Sequence, residues 1–276
     1  MKQTLILLIT LFFCSLLLAQ KDSLKRDPDK ESIPKLVFSD LKTTASTVLF
    51  AYKRPFQWKK KQWIQFGAVV GLTFATALID ERTDRFFQTH QSRFLEGLSS
   101  VGDRLGRPAN NVPFYIGLYG AGVLTKNEWI RNTSTMIFAS LAISGFVQTL
   151  TKDAVGRARP DANLGNTAFK AFGGRAYHSF PSGHALLSIS TTWVLARQLK
   201  PLPLKILFYA IPTVVSWSRI YDGAHWLSDV VLGNALGIAA AETVLKYFPK
   251  IKNNNGSLKG LTILPGRNGL QLTYRF

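Results

Sequence analysis

The sequence contains one cysteine and few acidic residues. Cys14 is the only thiol in the 276 residues, and it lies inside an apolar N-terminal segment. Removal of that segment would leave a mature chain without cysteine, which excludes disulfide bonds and thiolate metal sites. The sequence also lacks the cluster of carboxylates that would hold Mg²⁺ or Ca²⁺. We therefore expect chemistry without a metal ion or other cofactor.

Acidic residues are outnumbered by basic ones. The 16 Asp and Glu residues stand against 34 Lys and Arg residues, which gives a formal net charge of +18. Such a charge favours anionic partners, namely nucleic acid, acidic lipid headgroups or phosphorylated substrates. The basic residues are scattered between apolar segments, and no known nucleic-acid-binding motif is present. We therefore expect a membrane and a phosphorylated substrate as partners, and no nucleic acid. The sequence does not indicate an oligomeric state.

The N-terminus resembles a secretory signal. Lys2 precedes the apolar run Leu5–Ala19, and polar composition returns at Lys21. This pattern predicts either a signal peptide over residues 1–20 or an uncleaved signal anchor. Residues 21–59 are predicted to be a leader and linker, because their first part is charged and carries two prolines.

A helical domain is predicted over residues 60–250. Short apolar segments fit both a membrane bundle and a soluble all-helical domain, but the pairs Gly67/Gly71 and Gly233/Gly237 have the G-x-x-x-G spacing of packed membrane helices. Apolar residues recur at helical spacing among charged ones, which predicts either an interfacial amphipathic helix or an ordinary surface helix. They are Phe86, Phe87, Phe94, Leu98, Val101 and Leu105. The six candidate helices are Trp63–Ile79, Val112–Leu124, Thr133–Thr149, Ala185–Leu199, Pro203–Ser216 and Trp226–Phe248.

The charge of the connecting loops bears on orientation. If all six helices span a membrane, the loops on one side are almost purely basic, which places that side in the cytoplasm. A cleaved signal would instead leave residues 21–61 outside, and an uncleaved anchor conflicts equally, so the topology stays open. The C-terminal tail, residues 251–276, contains two β-prone runs around a Gly- and Pro-rich turn, which predicts a short hairpin.

Three polar segments lie at the ends of the apolar helices. They are Lys152–Pro160, which ends in Arg159-Pro160, then Pro181–His184, and then Ser218–Asp229. An antiparallel bundle brings these helix ends to the same side. Three cations, two histidines and one carboxylate would then converge, and this set suits a phosphate group.

Each segment has its own chemical logic. The positive charges of Lys152, Arg159 and Arg219 can neutralise the negative charge of phosphoryl oxygens. Ser182 and Gly183 begin a helix, where free backbone amides bind anions. His225 and Asp229 are four residues apart on one helix, so the carboxylate can fix the imidazole tautomer and leave the other nitrogen as a nucleophile. His184 remains as a general acid. Each piece alone is more typical of a helix cap, a helix-end charge or a surface pair than of an active site.

Together the segments Lys-x6-Arg-Pro, Pro-Ser-Gly-His and Ser-Arg-x5-His-x3-Asp resemble the tripartite signature of the type 2 phosphatidic acid phosphatase superfamily. The resemblance covers roughly residues 60–248 and implies an all-α, six-helix bundle, embedded in a membrane. The predicted C-terminal hairpin lies outside it, as a docking appendage. It also implies that His225 attacks phosphorus, that Asp229 orients it, that His184 protonates the leaving group, and that no metal is needed. The residues that would bind the phosphate are Lys152, Arg159, Ser182, Gly183 and Arg219.

The resemblance implies a phosphatase acting on a lipid phosphate or a polyprenyl pyrophosphate, located in a bacterial cell envelope with its active site facing the periplasm. A broad-specificity secreted acid phosphatase and a vanadium-dependent haloperoxidase, which shares the motifs, remain alternatives. A non-enzymatic envelope protein is a third, which the complete set of motif residues disfavours.

Overall fold

The fold is described by a computed structural model, which covers residues 32–255, 261–266 and 269–274. The predicted signal segment, residues 1–20, lies outside the described residues. Nine α-helices and two β-strands form within them. The elements are α1 (Ile33–Lys53), α2 (Lys60–Ala77), α3 (Asp80–Thr89), α4 (Arg93–Gly106), α5 (Pro108–Leu124), α6 (Glu128–Val155), α7 (Gly183–Gln198), α8 (Leu202–Tyr221), α9 (Leu227–Asn255), β1 (Leu261–Gly266) and β2 (Gly269–Tyr274).

The prediction of a six-helix bundle with a C-terminal β-hairpin is wrong as a description of the fold. Each of the six apolar segments falls in a helix, but the described residues contain nine helices. The fold class is all-helical, and the two short strands are not part of the helical domain. The additional helices are α1, α3 and α4. Strands β1 and β2 pair antiparallel with each other.

Helix α1 lies inside the stretch predicted as leader and linker. It packs against α6 and α9. Its inward side carries Asp40, Thr43 and Thr47, which are buried, whereas Phe38 and Leu41 are exposed. Its polar face therefore contacts the protein and its apolar face points away from it, the reverse of a helix on a water-soluble domain.

The segment predicted as one amphipathic helix forms two, α3 and α4. Ser92 caps α4, since its hydroxyl accepts a hydrogen bond from the Leu95 amide at 3.3 Å. Helix α4 packs against α8 through Ser99, Gly102 and Gly106, while apolar Phe94 is exposed. Like α1, it turns its small and polar residues toward the protein.

The hydrophobic core lies between α5, α6, α7 and α9, with Tyr115, Ile137, Val194, Val244 and Phe248 among its fully buried side chains. Small residues bring the helices close together: a methyl group at Gly233 would lie 2.6 Å from the Ser182 carbonyl oxygen. Gly67 and Gly71 differ, because a methyl group at either position would have no neighbour within 4 Å among the residues that the structure describes.

Helices α6 and α9 are long and apolar enough to cross a membrane. A third crossing would be added if α2 and α3, which are bent by 52° relative to each other, form one span. The interior between α6 and α7 contains buried Ser140, Ser144, Ser190 and Thr191. Small residues and interhelical hydroxyls of this kind are typical of helix packing in membranes.

Candidate active site

The three polar segments meet at one end of the helical domain. Arg159, just after α6, donates from Nη1 to the Ala224 carbonyl oxygen at 3.0 Å, in the loop before α9. The Ser182 amide, just before α7, donates to the Asp229 carbonyl oxygen at 2.9 Å. The helix ends that the sequence places together are therefore adjacent in the structure.

His225 and Asp229 are the most deeply buried members of the site. Their side chains are 2% and 0% exposed, and His225 Nδ1 lies 3.7 Å from Asp229 Oδ2. The His225 amide donates to the Arg219 carbonyl oxygen at 3.1 Å, which holds the histidine at the end of α8. Because Nδ1 faces the carboxylate, Nε2 is the ring nitrogen left to react.

The Asp229 carboxylate already has three hydrogen-bond donors. Its Oδ2 accepts from the Trp226 amide at 2.9 Å and from Ser179 Oγ at 2.5 Å, and its Oδ1 accepts from Arg157 Nη1 at 2.8 Å. His225 Nδ1 makes no hydrogen bond within the part of the chain that the structure describes.

His184 is the second residue of α7 and lies beside a carboxylate that the motifs do not contain. Its Nε2 is 3.6 Å from Asp103 Oδ1, and the same oxygen accepts from Arg219 Nη1 at 2.8 Å. Arg107 also pairs with Asp103. Helix α4, which carries Asp103, thus connects the candidate general acid to one of the phosphate-binding arginines.

Both imidazoles are held neutral at neutral pH. Burial, aided by the charge of Arg219, lowers the pKa of His184 to about 4. Burial also lowers the pKa of His225 to about 4, although Asp229 opposes this shift. A neutral His225 is ready to act as a nucleophile. His184 would take up its proton when a phosphate group adds negative charge beside it.

Two buried donors near the start of α7 have no hydrogen-bond partner among the described residues. Ser182 occupies the N-cap position of α7 but makes no capping bond, and its buried hydroxyl has no partner among the described residues. Arg159 Nε is likewise buried and, within the same residues, unpartnered. A methyl group at Gly183 would lie 3.8 Å from Lys152 Nζ, so the lysine is next to the helix start. Lys152 and the α7 N-terminus are therefore adjacent.

Four residues that support the site were not predicted from the sequence, namely Asp80, Asp103, Arg157 and Ser179. Arg157 lies within the first motif, two residues before Arg159, and its basic character was the only available signal. Asp80 and Asp103 come from α3 and α4, far away in sequence, and nothing in their local pattern marks them. No group of three or more metal-ligating side chains occurs in the described ranges. Independence from metal stays a prediction.

Comparison with known proteins identifies the family. A family model of the PAP2 superfamily matches residues 134–253, a stretch that holds all three motifs. An undecaprenyl-diphosphatase from Sulfolobus acidocaldarius is 32% identical over 148 residues, covering 54% of this chain and 68% of that protein. The chain belongs to the PAP2 superfamily. The resemblance inferred from the three motifs is confirmed.

Other PAP2 relatives extend the comparison. A lipid A 1-phosphatase from Rhizobium etli is 36% identical over 113 residues, covering 40% of this chain and 47% of that protein. The chain thus spans about half the length of the first curated relatives it matches, 47% and 44%. The crystal structure of a transmembrane PAP2-type phosphatidylglycerolphosphate phosphatase from Bacillus subtilis has the same fold, with a TM-score of 0.52 at 19% identity over 67% of this chain and 96% of that one.

These relatives and the long apolar helices identify this PAP2 chain as a membrane protein.

Proposed function

We propose that the chain is a phosphatase that removes phosphate from a lipid phosphate or a polyprenyl pyrophosphate through a phosphohistidine. The observation that carries the proposal is the convergence of buried His225 and Asp229 with His184 and three cations at one end of the helices. The relatives named as lipid A 1-phosphatase and undecaprenyl-diphosphatase support a phosphorylated lipid as substrate.

The reaction proceeds in two steps. His225 Nε2 attacks phosphorus while the bond to the lipid oxygen breaks, and His184 gives that oxygen its proton. Asp229 stabilises the positive charge that His225 acquires. His184 then takes a proton from water, whose oxygen attacks the phosphohistidine and releases phosphate.

Cations replace the metal ion that other phosphatases use. Lys152, Arg159 and Arg219, with the Ser182 hydroxyl and the Gly183 amide, hold the phosphoryl oxygens, and their hydrogen bonds tighten as charge shifts in the transition state. The unpaired Ser182 hydroxyl supports this assignment, since a buried hydroxyl without a partner costs free energy unless a ligand satisfies it.

The active site faces the periplasm in this proposal. Lys126 and Arg131 lie near the start of α6, and Lys250 and Lys252 near the end of α9, so these cations are at the opposite end from Lys152 and Asp229. The positive-inside rule places that basic end in the cytoplasm. Cleavage of a signal peptide at residues 1–20 remains a separate prediction.

Two measurements test the function. Phosphate release from a panel of lipid phosphates and polyprenyl pyrophosphates, with p-nitrophenyl phosphate beside them, identifies the substrate class. Release from p-nitrophenyl phosphate alone would favour a broad-specificity acid phosphatase, and bound vanadium with halide oxidation would favour a haloperoxidase.

The second measurement separates the two histidines. His225→Ala removes the nucleophile, so no phosphoprotein should form on any substrate. His184→Ala removes a proton donor, which typically contributes about 10²–10⁴-fold, so lipid phosphate hydrolysis should fall by that range. The first step on p-nitrophenyl phosphate should change little, because p-nitrophenolate leaves without a proton. A phosphoprotein in the His225 variant would show that the roles are misassigned.

A further inference from the structure

Arg157 lies between two buried carboxylates. Its Nη1 donates to Asp229 Oδ1 at 2.8 Å, and its Nη2 donates to Asp80 Oδ2 at 2.8 Å. The arginine side chain is 5% exposed and both carboxylates are 0% exposed. A buried carboxylate without a cationic partner is very unfavourable. Arg157 therefore supplies the charge that keeps Asp229 ionised inside the protein.

The guanidinium of Arg157 is fixed on every side. Its Nε donates to the Asn166 carbonyl oxygen at 2.9 Å, and its Nη1 also donates to Ser228 Oγ at 2.7 Å. The ring centroid of Trp226 lies 5.6 Å from the guanidinium carbon. This arginine thus has one orientation available, with its fork directed at Asp80 and Asp229.

Asp80 ties the same group to the first turn of α9. Its Oδ1 accepts from the Ser228 amide at 2.9 Å, and its Oδ2 accepts from Ser228 Oγ at 2.5 Å. Ser228 directly precedes Asp229, so α3 fixes the turn that carries the catalytic carboxylate. The pair Asp80 and Arg157 therefore contacts the Asp229 side chain and the backbone amide of the preceding residue, Ser228.

The orientation of the Asp229 carboxylate determines which of its oxygens faces the His225 imidazole. Arg157 holds Oδ1, which leaves Oδ2 as the oxygen that faces His225 Nδ1. Without Arg157, the described residues would hold the carboxylate only through Oδ2, by the Trp226 amide and Ser179 Oγ, so its plane could turn relative to the imidazole. A misplacement of about 1 Å in a catalytic site can cost about 10²-fold in rate.

We propose that Arg157 is a positioning residue for the nucleophile: anchored by Asp80, it orients Asp229 toward His225. The proposal rests on the phosphohistidine mechanism proposed above. If Arg157 is a positioning residue, its effect on the rate depends on Asp229. If it forms only a structural ion pair, its effect on the rate does not depend on Asp229.

A double-mutant cycle tests this coupling. Arg157→Gln, Asp229→Asn and the double variant are compared by the rate of the p-nitrophenolate burst, with KM measured in parallel. Arg157→Gln alone should slow the burst by about 10²-fold with little change in KM. In the Asp229→Asn background the same substitution should cost less than about twofold, because residues that act as a unit are not additive.

Arg131 provides a matched control. Its Nε lies 2.8 Å from Asp40 Oδ2, and both side chains are buried, but the pair is near the other end of α6, about 30 Å from Lys152 along the helix. Arg131→Gln should lower the unfolding temperature as Arg157→Gln does, while the burst rate per folded molecule stays near that of the wild type.

The outcomes are distinct. Equal costs of Arg157→Gln in both backgrounds, or a burst rate as unaffected as that of Arg131→Gln, would overturn the positioning role while leaving the phosphatase function intact. If Arg157→Gln does not fold, the cycle is run with Arg157→Lys, which keeps the charge and loses the fork, and the same criterion of non-additivity applies. A wild-type chain that releases no phosphate from any substrate contradicts both proposals.

Discussion

Replacement of Gly233 by alanine should reduce activity far more than stability. The added methyl group would lie 2.6 Å from the Ser182 carbonyl oxygen and 3.4 Å from the Ser182 nitrogen. Ordinary contact begins at 3.4 Å, so the two backbones must separate by about 0.8 Å. Neither is a flexible side chain, and the separation therefore falls on the start of α7, which carries Ser182 and Gly183.

The magnitudes of the two effects differ. Overpacking costs about 1–3 kcal/mol, whereas alanine in place of glycine inside a helix recovers about 1 kcal/mol, so the net loss of stability should be at most about 2 kcal/mol. A displacement close to 1 Å of the phosphate-binding groups should lower kcat/KM by about 10²-fold. The Ser182 amide should also lose its hydrogen bond to the Asp229 carbonyl oxygen.

Gly71→Ala is the matched control, because Gly71 has the same spacing to a second glycine and a methyl group there meets nothing within 4 Å. It should leave activity unchanged and raise stability by up to about 1 kcal/mol. Hydrolysis of p-nitrophenyl phosphate and thermal unfolding in detergent provide the two readouts. Wild-type kcat/KM in the Gly233 variant, or an equal loss in the Gly71 variant, would refute the reasoning.

Three further predictions concern metal, pH and sidedness. Activity should survive EDTA and be inhibited by vanadate, which can take the phosphoryl position beside His225; loss in EDTA that magnesium restores would contradict the mechanism. Between pH 6.5 and about 4 the unfolded chain binds protons at His184 and His225 that the folded chain does not. The unfolding temperature should therefore fall as the pH is lowered through this window. His184→Gln should make the unfolding temperature depend less on pH. If the pH dependence of the unfolding temperature is the same in this variant as in the wild type, His184 is not a buried neutral imidazole. In a Cys14→Ser background, a cysteine at Asn163 should react with an impermeant reagent once any outer membrane is opened, and one at Lys126 should not; the reverse pattern would invert the topology.

The candidate site was predictable because its chemistry is local in sequence. His225 and Asp229 are four residues apart, and Ser182, Gly183 and His184 are consecutive, so each group is close in sequence. His225 itself lies in the loop before α9, which begins at Leu227, and not on the same helix as Asp229. That the helix ends meet follows from antiparallel packing. The side chains that support the site could not be found in this way, since Asp80 and Asp103 contact it only after α3 and α4 fold against the bundle.

The number of helices was underestimated for a different physical reason. Apolar runs predict only helices whose buried side is apolar, whereas α1 contains Asp40, Thr43 and Thr47 at the positions that become buried. Asp40 pairs with Arg131, and Thr47 donates to the Thr43 carbonyl oxygen at 2.7 Å. These partners are invisible from the sequence, so a helix whose polar face is inward was assigned to the linker.

The inward polar faces of α1 and α4 bear on protein engineering. The groups that would make this domain insoluble, such as Phe38, Leu41, Leu49 and Phe94, are exposed and do not form the hydrophobic core. Their replacement by glutamate, lysine or glutamine would remove outward apolar area without opening a cavity, since cavities arise only from buried side chains. A water-soluble version of the domain is therefore a problem of surface redesign, in which the interior and the catalytic end keep their present residues.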